Sequence, residues 1–288
     1  MLKTTAFIGY GFVGKACHKA FEDNTEAIII DPKYSTITIA ELPTFDCKLA
    51  FVSIFAPTLD DGSVDASIIY EIFQQLTDIK YAGLVVLKST LPPSIVDDLY
   101  NKFGSSPTMK KHGPLRYVYS PEFLREESWE KDAVDQSFII LAGDIRDCHE
   151  LKDLYKKHSR IPAYCRFFMV DYREAALAKY TINAWLATKV AFMNQVYNLH
   201  LDMYETKTMQ PETWKAFTDM ISADMRIGQS HMSVPGPDGQ YGYGGTCFPK
   251  DVKALIGYDK NERLSILREV EVANTKIRLT GNRKSDKI

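Results

Sequence analysis

No stretch of this 288-residue chain approaches the roughly 18 consecutive apolar residues that a bilayer span needs. An excess of one charge is missing too. The 35 Lys and Arg face 37 Asp and Glu, a formal net charge of −2, which leaves no general basic surface for nucleic acid. The five cysteines, Cys17, Cys47, Cys148, Cys165 and Cys247, form no CxxC pair and none stands at zinc-ligand spacing with a histidine. Neither a disulfide framework nor a metal site is expected. Internal repeats and low-complexity tracts are absent. A strand-like run begins by Thr4, too early for a signal peptide ahead of it, so a cytoplasmic location is expected. What is present is ordinary: 45% hydrophobic and 25% charged residues describe a folded chain, and its length suits two domains.

Short β-rich runs at residues 4–9, 26–31, 48–54, 83–90, 116–120 and 137–142 alternate with helix-patterned stretches. Several are continuously apolar, as strands buried on both faces are. That alternation predicts a Rossmann-type, doubly wound parallel sheet over residues 1–170. Residues 163–210 contain neither Gly nor Pro, and residues 171–204 read as one long helix opening an all-α domain over 171–288. Its Trp185, Val190, Phe192, Met193, Val196 and Tyr197 present more apolar surface than a small domain covers, which points to a dimerisation domain and a homodimer. Pro211 suits the first position of a further helix. Residues 228–245, crowded with Gly and interrupted by Pro235 and Pro237, read as a loop with demanding backbone geometry. The polar tail from Asn282 to Ile288 is expected to fray.

Four constellations carry chemistry. Gly9-Tyr10-Gly11-Phe12-Val13-Gly14 places GxGxxG between a strand and a helix, where backbone can approach a pyrophosphate. Alone the pattern also fits a packing turn, but Asp31 closes the second strand where a carboxylate accepts from ribose hydroxyls and repels a 2′-phosphate, favouring NAD over NADP. Ligands bind beyond the carboxyl ends of parallel strands, and there stand Ala56-Pro57-Thr58, Lys88-Ser89-Thr90 and Ser120-Pro121-Glu122-Phe123-Leu124-Arg125-Glu126. On spacing alone Thr90 is equally a turn or cap residue, and Glu122 and Glu126, taken alone, read rather as a solvated first helical turn whose carboxylates complement the dipole. Lys179 and Asn183, one turn apart on the long helix among small residues, can donate to an oxygen that gains charge, although an isolated helix Lys is more often a surface group. Cys247, between a glycine-rich loop and a proline-started helix, has the setting of an activated nucleophile, with Asp251 on the same side; Cys17, Cys47 and Cys165 read as buried structural thiols.

GYGFVG at 9–14, APT at 56–58, KST at 88–90, SPEFLRE at 120–126, AKYTINAWLATKVAF at 178–192, RIG at 226–228 and GYGGTCFPKD at 242–251 occur in one order. In that order they resemble the UDP-glucose/GDP-mannose dehydrogenase family. The resemblance implies an NAD-dependent enzyme that oxidises C6 of a nucleotide sugar, UDP-glucose above all, to the uronic acid through a Cys247 thiohemiacetal and thioester. It implies catalytic roles for Cys247, Lys179, Asn183, Asp251, Glu122 and Thr90. Cofactor contacts would come from Gly9, Gly11, Phe12, Val13, Gly14, Asp31, Pro57, Thr58, Ser89, Thr90 and Glu126. Phe123, Leu124, Glu126, Lys179, Asn183, Tyr243 and Gly244 would hold the sugar, and Arg226 would reach the substrate of a neighbouring subunit. Two departures are expected: no counterpart of the family's third, nucleotide-binding domain, and only sixteen residues between Asp31 and Lys48, which shrinks the adenosine pocket.

Two rival readings stand beside this one. A short hydroxyacid dehydrogenase of the 6-phosphogluconate type also pairs a Rossmann domain with helices and uses a Lys-xxx-Asn pair, but has no use for Cys247 or SPEFLRE. A truncated module that binds NAD without turnover is the other.

Overall fold

Thr4–Ile8 (β1), an almost wholly buried strand, lies between two parallel neighbours, Glu26–Ile30 (β2) and Cys47–Val52 (β3). A computed structural model describes residues 4–23, 25–107, 111–203 and 210–281 of the chain. Phe12–Phe21 (α1) connects β1 to β2; between β2 and β3 there is only a 3-10 segment, Ile39–Thr44, in keeping with the short interval in the sequence. Ser67–Asp78 (α2) leads to Leu84–Leu87 (β4), and Pro93–Phe103 (α3) to a two-residue antiparallel ribbon, Ser105–Ser106 (β5) and Lys111–His112 (β6). Arg116–Tyr119 (β7), Trp129–Val134 (α4), Phe138–Ala142 (β8), Ile145–His158 (α5) and Arg166–Val170 (β9) complete the first unit's sheet layers.

The sheet order is β2-β1-β3-β4-β7-β8-β9. Strand order reverses about β1, so the crevice beyond β1 and β3 is the switch point where such sheets take ligands. The sheet departs from the expected parallel arrangement at one join. β8 pairs antiparallel with β7, and β9 then runs parallel to β8. A parallel return requires a crossover helix packed on the sheet, and residues 120–137 supply only an extended segment, a 3-10 turn and the six-residue α4. Two apolar layers cover the sheet. One gathers Ile8, Val52, Phe73, Leu87 and Tyr117; the other stacks Phe7 on Phe51 at 5.6 Å and sets Phe21 beside them.

The chain divides into two compact units, Met1–Pro57 with Val64–Lys179, and Thr58–Ser63 with Tyr180–Ile288. The division falls within Tyr172–Met203 (α6), because Tyr172, Ala175 and Ala176 on its first turns belong to the sheet's own core. At 32 residues α6 is roughly 48 Å long at 1.5 Å per residue. Tyr204, expected to end this helix, and the polar tail 282–288 lie outside the described residues. In the second unit Pro211–Ser222 (α7) packs on α6 through Trp214, Met193, Tyr197 and Leu201. Phe248–Tyr258 (α8) and Ser265–Thr280 (α9) follow the glycine-rich loop. Along α6, Trp185, Phe192 and Leu199 are each at least 60% exposed and fall at intervals of seven, which sets them on one side of the helix.

Candidate active site

The glycine loop after β1 assigns a different duty to each glycine. Gly9 has φ +83°, and a Cβ there would stand 2.5 Å from the Ser53 carbonyl oxygen, so turn and close approach both demand glycine. Gly14 is buried, and a Cβ on it would drive into the Gly9 carbonyl. At Gly11 a Cβ would meet nothing within 4 Å: the space before α1 is open. No side chain caps the α1 N-terminus and no acidic residue lies in its first turn. Its free N–H groups and positive dipole end are therefore left for an anion, flanked by Phe12 and Val13. Asp31 is oriented toward this loop. One carboxylate oxygen accepts from the Tyr10 N–H at 2.7 Å, the other from the Lys33 N–H at 2.9 Å. Lys15 stands over the Tyr34 ring at 4.9 Å beside it. An open cradle, an uncapped helix and an oriented carboxylate fit a dinucleotide.

Along the same sheet edge, the Ser89 hydroxyl accepts from the Ile54 N–H at 2.9 Å, tying the segments after β3 and β4, and Thr90 follows half-buried. Glu122, beyond β7, is buried and paired with the buried Lys88 ammonium at 3.0 Å; its other oxygen accepts from the Phe123 N–H at 2.9 Å. Lys179 on α6 is buried, with its ammonium 5.0 Å from the centre of the Phe123 ring. Leu124 is half-buried, and Glu126 opens an exposed 3-10 turn. Arg125 grips Asp132 through its backbone N–H and its guanidinium, which pins this segment to α4.

The second unit holds the thiol. Cys247 stands immediately before α8 as a half-buried residue, its sulfur 3.7 Å from the Thr246 hydroxyl. The Asp251 N–H closes the first turn of α8 on the Cys247 carbonyl at 2.9 Å. The Asp251 carboxylate, only 1% exposed, accepts from the Asn183 amide of α6 and from the Lys250 ammonium. Cys247, Asp251 and Asn183, expected as two separate pairs with Lys179 beside Asn183, thus share one locality. Two further asparagines, which sequence reasoning missed, hold the loop before it. Asn274 accepts from the Tyr243 N–H at 2.7 Å and donates to its carbonyl at 3.0 Å, and Asn194 accepts from the Gly242 N–H at 3.0 Å. A Cβ on Gly244 would collide with the Arg278 guanidinium. Pro57 is exposed, whereas the Thr58 hydroxyl donates to the Lys250 carbonyl at 3.1 Å and so braces α8. Arg226 is exposed and forks onto Asp224. Burial pushes the Cys17 and Cys148 thiols up to about 12. Cys165 is buried as well, and Cys47 is only half-buried.

Models of the UDP-glucose/GDP-mannose dehydrogenase family match the chain twice, the NAD binding domain over residues 31–159 and the central domain over 173–276. The chain belongs to the UDP-glucose/GDP-mannose dehydrogenase family. The glycine loop precedes the first matched stretch, so its geometry is independent support for the NAD-binding assignment. A UDP-glucose 6-dehydrogenase of Pseudomonas aeruginosa is 31% identical over 245 residues, which cover 80% of this chain and 49% of that protein. The chain spans about half the length of the curated relatives it matches. Among solved structures, a UDP-glucose dehydrogenase from Pyrobaculum islandicum aligns with TM-score 0.70 at 23% identity, over 96% of this chain and 69% of that one. A 3-hydroxyisobutyrate dehydrogenase from Mycobacterium tuberculosis aligns with TM-score 0.68 at 13% identity, over 97% of this chain and 95% of that one. At these identities both describe the fold alone.

The glycines separate structure from binding. Gly11→Val should leave stability within about 0.5 kcal/mol of the parent yet weaken NAD+ at least tenfold, about 1.4 kcal/mol. Gly14→Val should lose roughly 1–3 kcal/mol of stability through overpacking. Urea unfolding with calorimetric NAD+ titration reads both, and an unaltered affinity in Gly11→Val contradicts the cradle. The thiols give a second prediction. At pH 8 iodoacetamide should label Cys247 well before Cys17 or Cys148, followed by peptide mass spectrometry; the reverse order removes Cys247 as the accessible nucleophile.

Proposed function

We propose that the chain oxidises the C6 alcohol of a nucleotide sugar, UDP-glucose first among candidates, to the carboxylate with two NAD+ in turn. The observation that carries this reading is the Asp251 junction, which sets an amide donor and a buried carboxylate beside a helix-terminal thiol. Bound in the glycine cradle, NAD+ supplies a hydride acceptor. The chain's residues supply the rest. Lys179 and Asn183 stabilise the alkoxide as C6 loses its first hydride and Lys179 takes the alcohol proton. The Cys247 sulfur then bonds to C6 of the aldehyde, giving a thiohemiacetal. Loss of a second hydride to a second acceptor leaves a thioester. Water oxygen bonds to C6 as the carbon–sulfur bond breaks, releasing carboxylate, thiolate and protons. Glu122 with Thr90, and Asp251 through Asn183, orient the groups of this last step. Phe123, Leu124, Glu126, Tyr243 and Gly244 contact the sugar, and Asp31 selects NAD over NADP.

A second reading has a specific observation behind it, the overlap over nearly the full length of a hydroxyacid dehydrogenase fold. Stoichiometry separates the two. The parent protein with UDP-glucose should yield two NADH per carboxylate, and Cys247→Ser little or none, stalled after the first half-reaction. One NADH per substrate, unchanged in Cys247→Ser, establishes the hydroxyacid reading. NAD+ binding with no NADH from any sugar nucleotide leaves the binding module.

The exposed stripe of Trp185, Phe192 and Leu199 supports self-association along α6, with Arg226 reaching a neighbouring copy. Sedimentation at micromolar concentration should show a dimer or larger, and Phe192→Glu should shift it toward monomer with the helical signal unchanged. A parent protein already monomeric refutes the assembly and the role of Arg226 together.

A further inference from the structure

Lys88 is the most deeply buried charged side chain on the sheet edge, and the roles assigned above leave it unused. It is 2% exposed, and its backbone N–H still bonds to the Val52 carbonyl at 2.8 Å, so it prolongs the β4 ladder and has no freedom to withdraw. The ammonium meets Glu122 Oε2 at 3.0 Å and donates to Ser120 Oγ at 3.3 Å, both on the segment that leaves β7. The Ser120 N–H likewise bonds to the Leu87 carbonyl at 2.8 Å. Glu122 Oε1 accepts the Phe123 N–H, and the Phe123 ring faces Lys179. Among the described residues, the Cys17 thiol on α1 and the Tyr155 hydroxyl on α5 also feel this pair; burial raises the pKa of both, which leaves them neutral at assay pH. Neither can replace an ammonium.

We propose that Lys88 is a positioning residue: it anchors Glu122 as an oriented carboxylate and, through Glu122, holds the 120–126 segment that presents Phe123 beneath Lys179. Each carboxylate oxygen has two lone pairs and spends one on Lys88 or Phe123, so one lone pair on each stays open for a water. Burying a carboxylate without its ammonium is strongly unfavourable, so removing Lys88 turns Glu122 outward or protonates it. This inference rests on the proposed thioester hydrolysis for its kinetic consequence, but not for its structural one.

The test uses the full chain as Lys88→Met, Lys88→Arg, Glu122→Gln and the double variant Lys88→Met with Glu122→Gln. Hydrogen–deuterium exchange should rise across residues 120–126 in Lys88→Met and stay near the parent level in Lys88→Arg. The double variant should regain most of the urea stability that Lys88→Met loses. If the two losses simply add, or exchange in that segment is unchanged, the positioning role is overturned whether or not the chain turns over. With UDP-glucose and excess NAD+, a rapid-mixing trace of Lys88→Met should keep its burst of NADH while the steady rate falls at least tenfold, and Lys88→Arg should recover it. Equal loss of burst and steady rate refutes a role specific to hydrolysis. A parent protein that forms no NADH refutes the proposed function instead, with the exchange and stability results still deciding the Lys88–Glu122 link.

Discussion

Asp251 carries a carboxylate sealed from water on the first turn of α8, and that single burial constrains the whole second unit. Removing one partner from a buried ionic group costs roughly 3–5 kcal/mol, so Asn183 and Lys250 are held as firmly as the carboxylate itself. Asn183 lies on α6, which means that α8 cannot slide along α6 without stripping a buried carboxylate oxygen of its amide donor. Cys247 inherits this rigidity because its carbonyl is the acceptor for the Asp251 N–H. The loop ahead of it is constrained in the same currency of buried amides, by Asn194 from α6 and Asn274 from α9. A glycine-rich segment, entropically costly to order, is thereby fixed at two consecutive residues, Gly242 and Tyr243.

The first unit solves its problem with backbone rather than charge. The approach of Gly14 to the Gly9 carbonyl lets the first turn of α1 sit directly over the end of β1, and the reversal of strand order about β1 opens the crevice in front of it. A dinucleotide needs both, since N–H groups bind phosphate only where no side chain stands between. Gly11, which touches nothing, is the glycine whose absence of a side chain serves a ligand rather than the fold.

Which parts of this were legible follows from what a sequence pattern reports. Continuous apolar runs announced β1, β3, β4 and β8 because strands buried on both faces leave that signature. The gap in Gly and Pro announced α6, and Pro249 with the preceding glycines announced the helix behind Cys247. Strand direction is not encoded in such runs, so the reversal at β8 went unseen, as did β9, whose exposed and half-buried residues give no clear alternation. Lys88 was hidden for a different reason. Lysine is among the residues least often buried, and its partner Glu122 lies 34 positions away with no local pattern joining them. The Thr58 hydroxyl donates to the Lys250 carbonyl, a partner 192 residues distant that no local pattern announces.

Glu122 and Asp251, the two expected site residues that are buried carboxylates, are alike in one respect and differ in another. Each is matched with a lysine, Glu122 with Lys88 and Asp251 with Lys250. Asp251, 1% exposed, faces an amide on one oxygen and an ammonium on the other. Its contacts hold the Asn183 amide in one orientation. Glu122 retains slightly more exposure at 8% and carries a backbone N–H instead of an amide side chain on its second oxygen. The backbone donor and the ammonium take one lone pair on each Glu122 oxygen. On the proposed mechanism the two carboxylates would divide the labour: Asp251 would hold the Asn183 amide that stabilises the oxyanion, and Glu122, anchored by Lys88, would orient the water of the last step.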